Sequence, residues 1–141
     1  DVDFFIVALP YTLLDQDVLD AEFPRCEEMG VGAVIGALFA SGILATGPVA
    51  GAKYKYADAP PKILEKTRRI EAVCQRHGTP LRAAAMQFPL AHPITAAIIP
   101  GALEPAHVQG NAELLAHPIP GALWTDLKQE GLLREDAPVP S

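Results

Sequence analysis

Three short apolar runs, separated by segments with helical periodicity, constrain the fold of this chain more than any other feature of its sequence. The runs are Asp3–Pro10, Val31–Ala37 and Ile94–Ile99. Each has the length of a strand and carries apolar residues at consecutive positions, so we predict three strands buried on both faces. Strands that alternate with helices form a parallel sheet with right-handed crossovers, and we therefore expect an α/β fold.

Several segments predict helices. The first, Asp17–Met29, contains Pro24, which should kink or restart it, and ends before Gly30. The clearest helical pattern covers Lys62–His77. The other predicted helices run from Thr79 and Pro80 to about Leu90, from Glu104 and Pro105 with Val108, Asn111, Ala112 and Leu115 on one side, and through Leu123, Trp124 and Leu127.

A glycine-rich segment, Leu38–Pro61, is predicted to be a loop. Loops of this length are uncommon in compact domains unless they have a function. Since the segment directly follows the second predicted strand, we expect part of a functional surface there.

The chain has the length of one ordinary domain, 141 residues, but supplies only three predicted strands. A parallel sheet of three strands has two open edges, and these edge strands lack the charges and prolines that protect exposed edges. We therefore expect further strands of the same sheet upstream, with Asp1 at a truncation point, or self-association through the exposed edges.

The charge pattern argues against a nucleic acid partner. Eleven Lys and Arg residues oppose 17 Asp and Glu residues, for a net charge of -6, and the basic residues do not cluster. Residues 31–52 carry no charge, but five glycines and the break at Thr46, Gly47 and Pro48 make this segment a poor membrane span. We expect neither nucleic acid nor membrane as a partner.

The two cysteines, Cys26 and Cys74, have no second Cys or His at the spacing of a zinc or redox site. They are interpreted as reduced core thiols, which favours a cytoplasmic location. The four histidines do not form a metal-binding motif, so no metal is expected.

Ligands of parallel α/β proteins bind at the carboxyl ends of the strands, which here are Pro10–Tyr11, Gly36–Gly42 and Pro100–His107. The second and third turns contain glycines, and backbone amides in such turns can hold phosphate. Turns of this kind are also common as purely structural features. Tyr11 and Trp124 are weak substrate-contacting candidates, for which the alternative is a place in the core.

Six segments, taken together and in order, resemble the aldo-keto reductase family, and in particular its bacterial branch that acts on sugars and pyridoxal. The segments are PYTLLDQ (10–16), SGILATGP (41–48), AVCQRHGTPL (72–81), AAAMQFPLAHP (83–93), IIPGA (98–102) with Asn111, and PIP (118–120) with LWTDLKQEGLL (123–133).

The resemblance implies an NAD(P)-dependent oxidoreductase with an eight-stranded (β/α)8 TIM barrel. Residues 1–141 would form its last three βα units, with the tail of the domain from about residue 118 onward. The implied substrate is a small molecule, either an aldose such as a D-threo-aldose or L-fucose or a related alcohol or carbonyl compound.

The resemblance also implies contacts with the cofactor, in which main-chain amides near Phe39 and Ser41 donate to phosphate. The implied residues are Ala37, Phe39, Ser41 and Gly42 along the pyrophosphate, Gly101, Ala102 and His107 around the adenosine ribose, and Asn111 at the adenine edge.

Two positions depart from the family pattern. Gly36 stands where many relatives have an aromatic residue that stacks on the nicotinamide. Around the adenosine ribose, relatives that require NADP often have a basic side chain, whereas this chain has Gly101, Ala102 and His107 with Glu104 close by. A 2′-phosphate would meet little positive charge and one carboxylate, so we expect NAD to be preferred over NADP.

The catalytic Asp, Tyr, Lys and His of the family come from the first half of the barrel, and no residue of this chain matches their motifs. We therefore expect the chain alone to be inactive, with no catalytic residue of its own. The alternative is a non-catalytic half-barrel that binds a nucleotide or another chain.

Overall fold

A computed structural model describes residues 2–141, and the expectation attached to Asp1 lies outside the described residues. Over these residues the chain alternates between strands and helices. The strands are β1 (Phe4–Ala8), β2 (Gly32–Gly36), β3 (Lys53–Tyr54), β4 (Ala57–Asp58) and β5 (Thr95–Ile99). The helices are α1 (Glu22–Glu28), α2 (Ile43–Thr46), α3 (Pro61–Arg76), α4 (Leu81–Gln87), α5 (Pro105–Ala116) and α6 (Gly121–Gln129).

The main sheet has the order β1-β2-β5, and both pairings are parallel. The predicted parallel α/β arrangement is therefore confirmed for these strands. The register aligns Ala8 with Gly36 and Gly36 with Ile99, while an irregularity interrupts the β2–β5 ladder between Ala33 and Val34. Since the strands are parallel, the three segments that follow Ala8, Gly36 and Ile99 leave the same edge of the sheet.

The outer strands are more exposed than the sequence predicts. In β1, Phe4, Phe5 and Ile6 have 54%, 51% and 66% of their surface exposed, and Ile99 at the end of β5 is 50% exposed. In β2, by contrast, Ile35 is fully buried. The prediction of burial on both faces is therefore wrong for β1 and β5, because within residues 2–141 too little of the chain lies opposite these side chains to cover them.

Most predicted helices form, with different ends. The helix α3 lies where the periodicity predicts it and buries Ile70, Val73 and Cys74. The helix α4 ends at Gln87 instead of about Leu90, and the chain continues as a 3-10 turn because Pro89 has no amide hydrogen to donate. In the first predicted helix, a 3-10 turn at Asp17–Leu19 precedes α1, so the helix is restarted near Pro24.

The helix α5 begins at Pro105 as predicted, but its apolar side is not buried. Val108 is 61% exposed and Leu115 is 44% exposed, whereas Asn111 is buried. The periodicity of this helix identified a surface that would suit a packing partner. Within residues 2–141 no element covers that surface.

The segment predicted to be one long loop, Leu38–Pro61, contains regular structure, which corrects the prediction. It holds the short helix α2 and an antiparallel hairpin formed by β3 and β4, in which Lys53 pairs with Asp58 and Tyr54 with Ala57. The two turn residues, Lys55 and Tyr56, both have left-handed backbone conformations, with φ of 49° and 64°. Strands of two residues are too short to produce a periodic signal, and the turn lacks the Asn-Gly sequence typical of such hairpins.

The core lies between one face of the sheet and the helices α3, α4 and α6. Its largest fully buried side chains include Trp124, Tyr11, Phe23, Phe88 and Met86. The segment that follows β1 contributes to this core instead of remaining on the surface, since Tyr11 and Leu13 are fully buried. This packing holds the carboxyl edge of the sheet in place.

Two further expectations concern the state of the cysteines and the absence of a membrane-spanning segment. Both cysteines are free, with Cys74 buried and Cys26 half-buried. Across residues 2–141, no helix combines the length and the apolar character that crossing a membrane requires.

Candidate functional site

Strained backbone marks the carboxyl edge of the sheet. The residues that directly follow β1 and β2, Leu9 and Ala37, have positive φ values of 78° and 53°. Non-glycine residues in this region cost about 1–3 kcal/mol each and tend to cluster where a fold serves a function. Gly36 lies beside them, and a Cβ atom at this position would meet only the Val7 carbonyl at 3.9 Å. A side chain therefore fits sterically at Gly36, although this chain has none.

The turn after β2 contains three consecutive residues with a left-handed backbone. Ala40, Ser41 and Gly42 follow one another with φ of 48°, 65° and 110°. The amide of Ala40 donates to the Ala37 carbonyl at 2.9 Å, and that of Gly42 donates to the Phe39 carbonyl at 2.8 Å. These bonds hold the turn, while the amides of Phe39 and Ser41 remain the proposed phosphate donors.

The hairpin β3–β4 is attached to this turn and to the segment after β1. The Tyr56 amide donates to Ser41 Oγ at 3.1 Å, so the Ser41 hydroxyl is already engaged. The Tyr54 hydroxyl donates to Asp15 Oδ2 at 2.6 Å, and Lys55 Nζ lies 3.4 Å from Asp15 Oδ1. Burial, followed by the hydrogen bond to Asp15, raises the pKa of Tyr54 above its ordinary value.

The turn after β5 is joined to the first half of α5 by two side chains. Asn111 Nδ2 donates to the Gly101 carbonyl at 3.3 Å. The Leu103 amide donates to His107 Nδ1 at 3.2 Å, and His107 Nε2 lies 3.2 Å from Glu104 Oε1. The structure therefore brings together the residues that the family resemblance assigns to the adenosine end of a ligand, which are Gly101, Ala102, His107 and Asn111.

A cavity of about 310 Å³ opens beside this turn. It is lined by Ala102 and by Asn111, the one buried polar side chain on α5, and its other walls are apolar residues of α4, β5 and α5, including Met86 and Ile98. The volume is at the lower end of the range for small-molecule pockets. An apolar slot with one buried amide suits a flat heterocycle.

Arg82 connects the two turns, and the sequence analysis did not identify it. Its guanidinium carbon lies 5.3 Å from the centre of the Phe39 ring, and its Nη2 donates to Asn111 Oδ1 at 3.3 Å. Phe39 belongs to the turn after β2, and Asn111 lies beside the turn after β5, so the two turns converge on one cation. A single arginine in an alanine-rich helix carries no sequence signal for such a position.

Tyr11 and Trp124 lie in the core, which agrees with the alternative interpretation and not with contact to a substrate. Tyr11 is 0% and Trp124 is 1% exposed, and both rings pack against Phe88, with centroid distances of 5.1 and 6.3 Å. Burial, with a smaller effect of Asp136, raises the pKa of the Tyr11 hydroxyl. A hydroxyl held in its neutral form and out of reach of solvent is not poised to exchange a proton with a ligand.

Groups of three or more His, Cys, Asp or Glu side chains that could hold a metal ion are absent from residues 2–141. What the carboxyl edge does offer is backbone amides in a strained turn, the buried Asn111 amide, the Arg82 guanidinium and an apolar slot. This set can bind a phosphate-bearing, nucleotide-like molecule.

Comparison with known proteins identifies the family. The sequence matches the model of the aldo/keto reductase family over residues 1–130. It is 40% identical over 134 residues to the pyridoxal 4-dehydrogenase of Microbacterium luteolum, covering 94% of this chain and 39% of that protein. It is 37% identical over 134 residues to a D-threo-aldose 1-dehydrogenase of Pseudomonas sp, covering 94% of this chain and 41% of that protein. The chain thus spans about two fifths of the length of these curated relatives.

The fold also matches solved structures. The holo form of the aldo-keto reductase AKR11C1 from Bacillus halodurans superposes with a TM-score of 0.65 at 23% identity, covering 96% of this chain and 44% of that one. Its apo form gives a TM-score of 0.67 at 23% identity, with coverage of 96% and 45%. Fold, ordered sequence segments and the family model agree, and the chain belongs to the aldo/keto reductase family.

Proposed function

We propose that this chain is the part of an NAD(P)-dependent oxidoreductase that binds the phosphates and the adenosine of the cofactor. The observation that carries this proposal is the convergence of the turns after β2 and β5 on Arg82, next to a cavity that contains the buried Asn111 amide. Two turns that meet at the carboxyl edge of a parallel sheet are the arrangement in which α/β proteins hold dinucleotides.

The residues present fit a dinucleotide. The strained turn at 37–42 can direct amides toward a pyrophosphate, the small residues Gly101 and Ala102 are exposed beside α5, and the Asn111 amide can pair with a base. When bound, the dinucleotide supplies hydride transfer to or from carbon. The side chains and amides of this chain bind and orient it; among them we assign no proton donor.

Support for NAD over NADP comes from the hydrogen bonds around α5. His107 Nδ1 accepts from the Leu103 amide, and His107 Nε2 lies 3.2 Å from the Glu104 carboxylate. The carboxylate beside this imidazole is negative. The guanidinium of Arg82 is engaged with Phe39 and Asn111. A 2′-phosphate would therefore be less favourable here than a ribose hydroxyl.

The reaction we propose is the oxidation of an aldose, or of a related alcohol, with the proton exchanged by a tyrosine outside this chain. The names of the two curated relatives, a pyridoxal and an aldose dehydrogenase, support this substrate class. We expect residues 1–141 alone to bind the cofactor without oxidising a substrate. The two free thiols are consistent with a reducing, cytoplasmic setting.

We further propose that residues 1–141 are the last three βα units of one barrel, including the tail from about residue 118. The exposed side chains Phe4, Phe5 and Ile6 on one edge strand, and Ile99 on the other, would be covered by the remaining strands. The 39–45% of each matched protein that this chain covers agrees with that assignment. The partner of this chain is then the rest of its barrel.

Calorimetric titration of the chain with NAD⁺ and with NADP⁺ tests the cofactor proposal. We expect both to bind, NAD⁺ more tightly. Gly101→Lys should shift the preference toward NADP⁺, because position 101 is exposed and a Cβ atom there meets nothing within 4 Å. Gly121→Lys, at an equally open position at the start of α6, is the matched control and should leave the ratio unchanged. Absence of binding, or tighter binding of NADP⁺ by the unmodified chain, would contradict the respective part of the proposal.

A chimera distinguishes the enzyme from the non-catalytic alternative. The amino-terminal part of the Pseudomonas D-threo-aldose 1-dehydrogenase, joined in front of residues 1–141, should reduce NAD⁺ when an aldose is added. A binding module would give a chimera that binds NAD⁺ without turnover. Residues 1–141 measured alone under the same conditions provide the baseline.

A further inference from the structure

Arg82 fixes the orientation of the Asn111 side chain. Asn111 Oδ1 accepts from Arg82 Nη2, and Asn111 Nδ2 donates to the Gly101 carbonyl, both at 3.3 Å. Rotating the amide by half a turn would place its NH₂ group against the guanidinium and its oxygen against the carbonyl. Both contacts would then be between groups of the same kind, so only one of the two orientations is hydrogen-bonded.

In this orientation the Asn111 amide can still form two more hydrogen bonds. Asn111 Oδ1 has a second lone pair, and Nδ2 has a second hydrogen, while the residue itself lines the cavity beside α5. One acceptor and one donor held side by side match the edge of adenine that carries the N6 amino group and N7. Hypoxanthine has a carbonyl oxygen in place of the amino group, and this oxygen would face the lone pair of Oδ1.

Two contacts hold Arg82 in place, and one of its nitrogens has no partner. Its guanidinium lies against the Phe39 ring, its Nη2 is bonded to Asn111, and its Nε is buried without a hydrogen-bond partner among residues 2–141. An unpaired buried donor is unfavourable. The presence of this unpaired donor is consistent with a guanidinium whose position serves to orient Asn111.

We propose that Arg82 is a positioning residue which, by orienting the Asn111 amide, makes the site selective for adenine over bases that carry a carbonyl group at the same position. The proposal rests on the proposed function, since it concerns the base of the same dinucleotide. It adds a residue outside the two turns and assigns it to base selectivity. This role does not involve an electrostatic interaction between Arg82 and a phosphate group.

The test compares the binding of NAD⁺ with that of nicotinamide hypoxanthine dinucleotide, measured by calorimetry on the whole chain. The unmodified chain should prefer NAD⁺ by about tenfold, the order expected for a bidentate contact with one base edge. In Arg82→Met only the Gly101 carbonyl still orients the amide, so the ratio should fall from about tenfold toward one. Arg68→Met removes an exposed arginine that is paired with Glu65 on α3, and it should keep the original ratio.

Each outcome separates the inference from the proposed function. If the unmodified chain binds neither dinucleotide, the proposed function fails. If it binds both but Arg82→Met keeps the tenfold preference, or if the unmodified chain has no preference, the inference about Arg82 is wrong while the proposed function stands. If Arg82→Met does not fold by circular dichroism, Arg82→Leu, which also has no hydrogen-bond donor, replaces it and must show the same loss of preference.

Discussion

The hydroxyl of Tyr54 donates a 2.6 Å hydrogen bond to Oδ2 of Asp15, a residue 39 positions earlier in the chain. Asp15 belongs to the segment after β1, and Tyr54 belongs to the hairpin that follows the turn after β2. The bond therefore joins two of the three segments that leave the carboxyl edge of the sheet. Together with the Tyr56–Ser41 contact, it holds the hairpin against the candidate phosphate-binding turn.

Removing this bond should destabilise the protein. Tyr54→Phe keeps the ring but leaves Oδ2 of the half-buried Asp15 carboxylate without its hydrogen-bond donor, which should lower the free energy of unfolding by about 1–2 kcal/mol. Urea denaturation followed by circular dichroism measures the effect. Tyr56→Phe is the control, since Tyr56 is 80% exposed and its hydroxyl has no such partner in the described structure. Equal stabilities for the two variants would contradict a structural role for the Tyr54–Asp15 bond.

Relieving strain at the hairpin turn should have the opposite effect. Tyr56 has a left-handed backbone with φ of 64° and an exposed side chain. Tyr56→Gly should therefore raise the free energy of unfolding by about 1 kcal/mol, because glycine adopts this conformation without a steric cost. Tyr56→Ala removes the ring but keeps the Cβ atom, so it should give no such gain. Thermal unfolding of the three proteins tests this prediction. If both variants are more stable than the unmodified chain, the stabilisation comes from removing the ring and not from relieving backbone strain.

The Cys74 thiol should make stability dependent on alkaline pH. Burial, followed by the charge of Glu71, raises its pKa from 9.0 to about 12. The folded protein thus keeps a proton that the unfolded chain releases above pH 9, so the contribution is complete below pH 9 and is lost as the pH rises toward 12. The slope attributable to this group is at most about 1.4 kcal/mol per pH unit.

Denaturation at pH 8, 9, 10 and 11 tests this dependence, and Cys74→Ala should reduce the slope relative to the unmodified chain. Tyr11 and Tyr54 contribute in the same direction in both proteins, because their pKa values are also raised. Thiol labelling gives a second readout at neutral pH: the half-buried Cys26 should react in the folded state, and Cys74 only after unfolding. Identical slopes with and without Cys74 would show that its ionisation does not limit stability.

The exposed edge strand β1 should cause association of the isolated chain. Phe5 and Ile6 line an open apolar cavity of about 600 Å³ together with Phe23. Ile6→Lys should reduce both hydrophobic dye binding and self-association, because a charged side chain on an edge strand disfavours pairing. Val49→Lys changes an equally apolar residue that is 51% exposed on another segment, and it should have little effect. Sedimentation velocity measures the association. An unmodified chain that sediments as a monomer and binds no dye would contradict an uncovered edge.

Some residues of the candidate site are predictable from the sequence, and others are not. The resemblance predicts Gly101, Ala102, His107 and Asn111 at one end of a ligand, and hydrogen bonds from Leu103 to His107 and from Asn111 to Gly101 join this turn to α5. Arg82 and the hairpin were not anticipated. Their positions depend on contacts between segments that are distant in sequence, such as the one between Arg82 and Asn111, 29 residues apart.

Sequence alone determined the alternation of strands and helices in this protein, the position of α3 and the parallel sheet, because consecutive apolar residues and helical periodicity are local properties of the chain. Tertiary structure decided which surfaces are buried. Tyr11 and Trp124 lie in the core, whereas Phe4, Ile6 and Val108 are exposed although their sequence surroundings are apolar. Burial depends on what lies opposite a residue in space, and for β1, β5 and α5 the described chain provides too little cover.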